Sequence, residues 1–246
     1  MTKNGIDKNR KVTSVSFFRE RKNFKMANME KYSFEDIKGL AGHLERSHSS
    51  YSNEFINQEL SYKNYNLGPE REKSQIDFIK SSLEKYQHSN RRDLKICSDW
   101  VITCPQNVPE TRQNEFFKLT YDFLVERYTN RSGLSENDLV VSSFVHLDET
   151  NAHMHFCMIN VIKNEKGQRF CAKELFNRKE LASFHSDFKK FMENHNFFAD
   201  VNNKETLFKR VIDKNGNEHY IALNPSDLKQ MNVRLHEHSH AHERSF

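Results

Sequence analysis

Three histidines close together in the sequence carry the clearest chemical signal in this chain. His146 precedes a short polar loop, and His153 and His155 follow it. β-rich runs at 139–147 and 153–162 flank the loop, which predicts an antiparallel hairpin. Because residues two apart in a strand face the same side, His153 and His155 point together, and the turn returns His146 opposite them. Three converging imidazoles are typical of a metal site with positions open for water or substrate.

Two carboxylates lie in the loop between these histidines. Asp148 and Glu149 complete the pattern H-x-D-E-x-x-x-H-x-H. A carboxylate beside a metal-binding histidine can orient its imidazole or accept a proton. Imidazole ligands suit several divalent transition metals, so the pattern predicts a metal without choosing a reaction. A metal hydrolase or oxygenase that acts on small molecules is one interpretation that this pattern alone allows.

The elements that must position these residues alternate between strand and helix patterns. Strands are predicted at 24–32, 94–103, 139–147 and 153–162, and a hairpin is predicted at 207–223 around Asn215-Gly216. Helices are predicted after an N-cap at Ser33, from Glu70, over 110–130 and over 173–195, with a loop at 47–69. This mixed order with antiparallel pairing is typical of an α+β fold.

The charge of the chain is unevenly placed. The 246 residues carry a formal net charge of +4. Residues 1–25 contain eight basic and two acidic side chains, a net of +6, which leaves −2 for the remainder. We therefore expect three parts: a basic, flexible arm at 1–25, one α+β domain at 26–200, and a hairpin with a histidine-rich tail at 201–246. The arm is expected to add salt-sensitive, nonspecific affinity for a polyanion.

Composition excludes several classes of protein. No stretch approaches the roughly 18–20 apolar residues of a membrane span, so we expect no integral membrane segment. The first residues lack an apolar signal region, and the four cysteines form no CxxC pair. These features predict a protein of the reducing cytoplasm. The sequence leaves the oligomeric state open, and the tail histidines (His236, His238, His240 and His242) are expected to be solvated.

Three segments resemble the motifs of the plasmid mobilisation relaxases of the Mob/Pre (MobV-type) family. The run from His146 to His155 is similar to the family's metal motif HxDExxPHxH. The segment Gly42-His-Leu-Glu-Arg46 resembles its first motif, and Asn64-Tyr-Asn-Leu67 resembles NY(D/E)L. The resemblance extends over about residues 24–198, where 97–104 and 175–181 are also similar. Asn66 and Ala152 depart from the family pattern, at positions where it has an acid and a proline.

The resemblance implies a fold, an activity and a set of roles. The fold is the HUH type, an antiparallel β-sheet flanked by helices, and the activity is metal-dependent nicking and rejoining of origin-of-transfer DNA. Mn²⁺ is the expected cofactor, with Mg²⁺ or another transition metal as alternatives, and a host conjugation coupling protein is an expected partner. The resemblance also implies a role for each motif residue. His43 would be the nucleophile and Arg46 would contact the phosphate, while Asn64 and Tyr65 would contact the DNA. The metal ligands would be His146, His153 and His155, with Asp148 supporting them and Glu149 orienting His43 or a ligand imidazole.

The same segments also allow alternative nucleophiles and alternative functions. His43 and Arg46 are three residues apart on a predicted helix and share a face, which suits attack on a bound phosphate. Tyr65 is an alternative nucleophile, as in a rolling-circle replication initiator, and Tyr62 lies nearby. A non-catalytic DNA-binding autoregulator that retains the metal site is a further alternative.

Overall fold

The computed structural model describes residues 17–21, 26–47, 56–165, 167–201, 205–212 and 218–222. Side-chain surroundings are described between residues 26 and 201. The chain divides into two compact units, one of residues 25–202 and one that combines residues 1–24 with 203–246. The rest of the basic arm, the Asn215-Gly216 turn and the histidine-rich tail lie outside the described residues.

Strands and helices are interspersed along the described part of the chain. The strands are β1 (Phe17–Arg21), β2 (Ala27–Tyr32), β3 (Tyr65–Asn66), β4 (Cys97–Thr103), β5 (Val140–Ser142), β6 (Phe144–His146), β7 (His153–Ile159), β8 (Val161–Asn164), β9 (Gly167–Phe170), β10 (Glu205–Ile212) and β11 (Glu218–Ala222). The helices are α1 (Ile37–Leu44), α2 (Gln75–Lys85), α3 (Gln113–Ser132), α4 (Glu136–Leu139), α5 (Ala172–Leu175) and α6 (Arg178–Asn194), with two 3₁₀ helices at Gln58–Lys63 and Glu110–Arg112.

A six-stranded antiparallel sheet forms the centre of the larger unit. Its strands are hydrogen-bonded in the order β2-β4-β7-β6-β3, and β5 pairs with β7 beside β6. The strand predicted at 139–147 is therefore two short strands, with an irregular register between Val140 and Ser142. The two middle strands, β4 and β7, pair along their whole length, from Cys97 with Ile159 to Thr103 with His153. They give the sheet a rigid centre.

Aromatic side chains fill the space between one face of the sheet and helices α3 and α6. Trp100 of β4 stacks on Phe184 of α6, with ring centroids 4.0 Å apart and planes 9° from parallel. Phe156 of β7 meets Tyr121 of α3 edge to face at 5.7 Å. These rings bury large apolar areas, which is the main stabilising term for this layer. The aromatic stripes on the two long helices are thus core, as their spacing predicts.

Helices α1 and α2 lie against the other face of the sheet. His43 of α1 meets His155 of β7 with ring centroids 5.4 Å apart. Gln75 at the start of α2 accepts a hydrogen bond from Ser142 of β5 at 2.9 Å. An antiparallel sheet with helices on both faces confirms the predicted α+β class. Among the described residues no helix combines the length and apolar character that crossing a membrane requires.

Two local differences from the sequence-based prediction have simple causes. Ser33 is not the N-cap of α1: Asp36 occupies that position without a side-chain capping hydrogen bond, because its carboxylate accepts from the Ser33 hydroxyl at 2.6 Å. Part of the predicted loop at 47–69 is ordered, since it contains the first 3₁₀ helix and β3. That short strand pairs with β6, Tyr65 opposite Val145, so it gains order from a nonlocal partner.

The second unit is a three-stranded antiparallel sheet. The pairing of β10 with β11 confirms the hairpin predicted at 207–223. Strand β1 pairs along β10, from Phe17 with Lys209 to Arg21 with Glu205. The segment predicted as a flexible arm therefore contains a strand. The sequence did not predict this strand, because the segment has mixed charge and no turn signal.

Candidate metal centre and active site

The predicted histidines lie on one face of the sheet. His146 and His153 are directly opposite each other in the β6–β7 pair, and His155 follows two residues along β7. The ring centroids of His146, His153 and His155 are 5.0 to 5.3 Å apart in every pair. The His146 and His155 residues are almost fully buried. The hairpin thus brings the three imidazoles together as the spacing predicts.

Neighbouring acceptors fix which ring nitrogen of each buried histidine is protonated. His146 Nε2 lies 3.0 Å from the carbonyl oxygen of Leu44 at the end of α1. His155 Nδ1 lies 2.6 Å from the carboxylate of Asp99 on β4. Carbonyl and carboxylate oxygens only accept, so these two nitrogens carry the hydrogens. The lone pairs are left on His146 Nδ1 and His155 Nε2.

Asp99 is the site residue that sequence reasoning missed. It lies on β4 opposite Cys157, on the face of the sheet that carries His155. Its carboxylate is 1% exposed. A carboxylate that accepts from the outer nitrogen of a metal-binding histidine fixes the ring and increases its basicity. The sequence feature that could have identified Asp99 is its acidic side chain inside the apolar strand 97–103, because an acid is buried in such a strand only with a partner.

Helix α1 brings a fourth imidazole to the cluster. His43 meets His146 and His155 edge to face, with ring centroids 5.7 and 5.4 Å apart. Ligand atoms of His43, His146 and His155 all lie within 4.8 Å of one another, and the same holds for His146, Glu149 and His153. The closest donor sets thus draw on five residues, two more than the predicted triad. His146 belongs to both sets.

The buried nitrogens fit a divalent cation. His146 Nδ1 and His155 Nε2 are buried and have no hydrogen-bond partner among the described residues. His153 Nδ1 lies 2.9 Å from the carbonyl oxygen of Asn151, which leaves Nε2 facing Glu149 at 4.0 Å. Buried polar atoms rarely lack a partner, and imidazole nitrogens with a carboxylate oxygen are a donor set that transition metals bind. The residues present therefore match the predicted cofactor.

Burial keeps His43, His146 and His153 neutral. Burial, with the nearby His155 and Arg46, lowers the pKa of His43 from 6.5 to about 4. Burial lowers the pKa of His146 to about 2, and that of His153 is lowered for the same reason. Desolvation disfavours the charged imidazolium, and neighbouring cations add to this effect. At neutral pH the rings therefore offer lone pairs for binding or attack.

Arg46 is held by both carboxylates of the loop. Its Nε and Nη2 atoms donate to the two oxygens of Asp148 at 2.9 Å each, and Nη2 also donates to Glu149 at 2.6 Å. Its Nη1 atom lies 3.4 Å from His43 Nδ1. The bidentate pair is geometrically specific and largely buried. Arg46 therefore links the first motif to the metal motif.

Arg46 takes an unusual backbone conformation to do so. Its φ of 52° lies in the left-handed region, which favours glycine. The amides of Arg46 and Ser47 donate to the carbonyls of His43 and Gly42, the pair of bonds that ends a helix with a left-handed residue. Strain of this kind persists where the surroundings impose it, and here the ion pair with Asp148 does so.

Asp148 is a structural centre as well as a partner of Arg46. Ser61 donates to its carboxylate at 2.6 Å, and its carbonyl accepts from the Asn57 amide at 2.8 Å. Burial would raise the pKa of Asp148, but the hydrogen bonds from Arg46 and Ser61 outweigh burial and hold it well below its usual range. Asp148, which was predicted as a supporting group, is thus the hub that connects α1, the 3₁₀ helix at Gln58–Lys63 and the loop between His146 and His153 (the metal loop).

The segment from Asn64 to Leu67, which resembles NY(D/E)L, lies beside the loop between His146 and His153. Asn64 accepts from the Leu147 amide through its side-chain oxygen at 2.8 Å. The Tyr65 hydroxyl donates to Asn114 at the start of α3 at 2.9 Å. Burial raises the pKa of Tyr65 to about 12. Asn64 thus shapes the loop, and the Tyr65 hydroxyl is engaged and hard to ionise.

Comparisons with known proteins agree with this geometry. The family model described as plasmid recombination enzyme matches residues 21–219. Plasmid recombination enzymes of Streptococcus agalactiae and Bacillus thuringiensis are 30% and 29% identical over 71% and 72% of this chain. The chain spans little more than a third of the length of these relatives, 35% and 39%.

A solved structure extends the likeness to the fold. The Mn-bound crystal structure of the MobM relaxase domain with plasmid pMV158 oriT DNA is similar with a TM-score of 0.62 and 25% identity. The match covers 83% of this chain and 97% of that one. It confirms the HUH-type relaxase fold. With the family model covering most of the sequence, this chain belongs to the Mob_Pre family of plasmid recombination enzymes.

Proposed function

We propose that this chain is the DNA-nicking module of a plasmid mobilisation relaxase. It cleaves one strand of origin-of-transfer DNA, keeps the 5′ end covalently on His43 and later rejoins the strand. The observation that carries this proposal is the contact of a neutral, nucleophilic His43 with the imidazoles of His146 and His155, at 5.7 and 5.4 Å between ring centroids. Family membership and the similarity to a relaxase domain solved with oriT DNA support it.

His146, His153 and His155 would hold the metal, and Glu149 lies close enough to add an oxygen. A divalent cation bound there, Mn²⁺ by analogy with the MobM structure, supplies Lewis-acid polarisation of the phosphate oxygens. Asp99 orients His155 through its 2.6 Å hydrogen bond. The chain thereby supplies an ordered ligand set on a rigid sheet, which such chemistry requires.

His43 would perform the covalent step. A lone pair of its neutral ring attacks the scissile phosphorus, an N–P bond forms and the P–O3′ bond breaks. The 3′ oxygen leaves and takes up a proton as a free hydroxyl. Because the phosphoryl bond is stored on the protein, the hydroxyl can reverse the step and reseal the strand. The lowered pKa of His43, about 4, keeps that lone pair available at neutral pH.

Arg46 and Glu149 would position the nucleophile. Nε and Nη2 of Arg46 donate to carboxylates, and Nη1 donates to the His43 carbonyl at 3.3 Å, so Arg46 holds the end of α1 and a phosphate beside His43 would be met by the already engaged Nη1. Glu149 accepts from Arg46 at 2.6 Å and lies 4.0 Å from His153. This geometry supports a role for Glu149 in orienting the ligand side of the site, with Arg46 as its link to His43.

Asn64 and Tyr65 are proposed to border the bound strand. The Tyr65 hydroxyl is a poorer nucleophile than His43, because its pKa is raised to about 12 and it donates to Asn114. The reaction is proposed for the bacterial cytoplasm, because plasmid DNA resides there and the relatives come from bacteria. A conjugation coupling protein stays the predicted partner for strand export.

The decisive experiment maps the covalent adduct. Both strands of the replicon that encodes the chain are offered in turn as single-stranded DNA with Mn²⁺, and the trapped adduct is digested and sequenced. The proposal expects an acid-labile N–P adduct on His43 that His43→Ala abolishes and Tyr65→Phe retains. An acid-stable adduct on Tyr65 would assign the tyrosine mechanism instead. Specific binding without cleavage would favour the autoregulator.

A further inference from the structure

Tyr62 is a solvent-exposed aromatic side chain beside the site. Its relative exposure is 79%, the highest among the large apolar side chains of the described residues. A single exposed ring needs no explanation by itself. Its position in the structure is what gives it meaning, because the segment that carries it is fixed to the metal loop.

Three hydrogen bonds join that segment to the loop. The Ser61 hydroxyl donates to the Asp148 carboxylate at 2.6 Å, and the Asn57 amide donates to the Asp148 carbonyl at 2.8 Å. Asn64 accepts from the Leu147 amide at 2.8 Å. The Cα atom of Tyr62 is ~3.8 Å from that of Ser61. Tyr62 thus adjoins Ser61, whose hydroxyl donates to the Asp148 carboxylate that holds Arg46.

The geometry of the 3₁₀ helix assigns its neighbours to three faces. With three residues per turn, Ser61 and Asn64 share the face against the metal loop, and Tyr62 lies about 120° around from it. Glu59 shares the face of Tyr62, whereas Lys63 occupies the next one and is exposed. The Tyr62 ring is therefore at the border of the site, with the cation of Lys63 on the next face of the helix and the anion of Glu59 one turn before it on the same face.

We propose that Tyr62 is a stacking platform for one unpaired base of the strand that enters the site. The inference rests on the proposed function, since it names a subsite for the same DNA. An aromatic face binds any base and leaves the sugar-phosphate chain to nearby cations, here Lys63, on the side away from Glu59. The base must be unpaired to stack, which fits a strand that is nicked in single-stranded form.

The test compares single-stranded and duplex binding in the full chain. The probe is a single-stranded oligonucleotide from the replicon that encodes the chain; it carries 2-aminopurine, whose fluorescence falls on stacking, and the control is the same sequence as a blunt duplex. Tyr62→Ala is expected to weaken single-strand affinity on the order of tenfold and to abolish the stacking quench. Tyr62→Phe is expected to retain both, because the ring remains.

Lys63→Ala is the matched control for charge. It is expected to lower the salt slope of binding by about one ion, whereas Tyr62→Ala leaves that slope unchanged. Single-strand affinity unchanged in Tyr62→Ala, or lost equally in Tyr62→Phe, overturns the stacking role. A wild-type chain that neither binds nor cleaves single-stranded DNA overturns the proposed function itself, so the two failures are distinguishable.

Discussion

Asp99 shows how one buried side chain can orient a proposed metal ligand from the far side of its ring. Its carboxylate accepts from His155 Nδ1 at 2.6 Å and thereby directs His155 Nε2 into the cluster. A neutral amide in its place could still accept, but it would polarise the ring less and could donate in a flipped orientation. We therefore expect Asp99 to act on metal affinity through ring orientation and basicity.

Asp99→Asn is expected to weaken Mn²⁺ binding by about 10–100-fold, the typical cost of losing such a partner. Isothermal titration of the metal-free protein with Mn²⁺ measures it. Asp93→Asn is the matched control, because that exposed carboxylate pairs only with the exposed Arg91. Equal affinities for the Asp99→Asn and control proteins would remove Asp99 from the metal site.

Arg46 is also expected to stabilise the folded protein. Arg46→Ala leaves the carboxylate of Asp148, whose side chain is 0% exposed, without its bidentate partner. Removing one member of a buried pair costs about 3–5 kcal/mol. Urea unfolding is expected to show that loss, with part of it recovered in the double variant Arg46→Ala/Asp148→Asn. A single variant as stable as wild type would contradict the hub role of Asp148.

At the scale of elements, β3 is held in place by a tight turn. The Asn66 side-chain oxygen accepts from the amides of Ser143 and Gly68, at 2.8 and 3.0 Å. An aspartate would accept the same two bonds, which explains why the departure from the family motif at this position costs no contact. A Cβ on Gly68 would lie 2.9 Å from the backbone nitrogen of Ser143.

These contacts predict opposite outcomes for two neighbouring substitutions. Asn66→Asp is expected to leave the free energy of unfolding within ~0.5 kcal/mol of wild type, as for most partly exposed sites. Gly68→Ala is expected to cost about 1–3 kcal/mol, because the clash is with backbone and must displace β3. Thermal unfolding of both variants checks the pair. A stable Gly68→Ala protein would mean that β3 tolerates displacement.

The sequence predicts the site better than it predicts the elements around it. The spacing of His146, His153 and His155 predicts a shared strand face, because period-two alternation is a local property. Asp99 was missed since its partner is 56 residues away in sequence. The order of the segment before Tyr65 was missed for the same reason, because hydrogen bonds to the distant Asp148 loop and to β6 organise it.

At the scale of the whole molecule, net charge says little about the site. The chain outside residues 1–25 carries −2, and the groups around the histidines are paired: Arg46 with Asp148 and Glu149, His155 with Asp99. With the proposed function, affinity of the larger unit for DNA is expected to come from local placement of the metal, the exposed ring of Tyr62 and nearby cations. This placement predicts a modest salt dependence for that unit.

The buried histidines make the stability of the metal-free protein depend on pH. The pKa values of His43 and His146, about 4 and about 2 when folded, are below the ordinary value of 6.5. The folded chain therefore binds fewer protons than the unfolded chain between these values, so the free energy of unfolding is fully present above pH ~6.5 and falls as the pH decreases. The slope is about 1.4 kcal/mol per pH unit for each such histidine.

Urea unfolding in a chelator between pH 7.5 and 5 measures this dependence. This window excludes Asp148, whose lowered pKa means that its contribution to stability is lost only in stronger acid. His43→Asn is expected to reduce the slope by about one proton, since it removes one titrating group. Mn²⁺ is expected to stabilise the wild-type protein by a similar amount at pH 7.5 and at pH 5, because the lowered pKa values of His43 and His146 leave their lone pairs free of protons in the folded chain across this window. A midpoint that does not change with pH would show that the histidines are accessible to solvent and that the site is not closed around them.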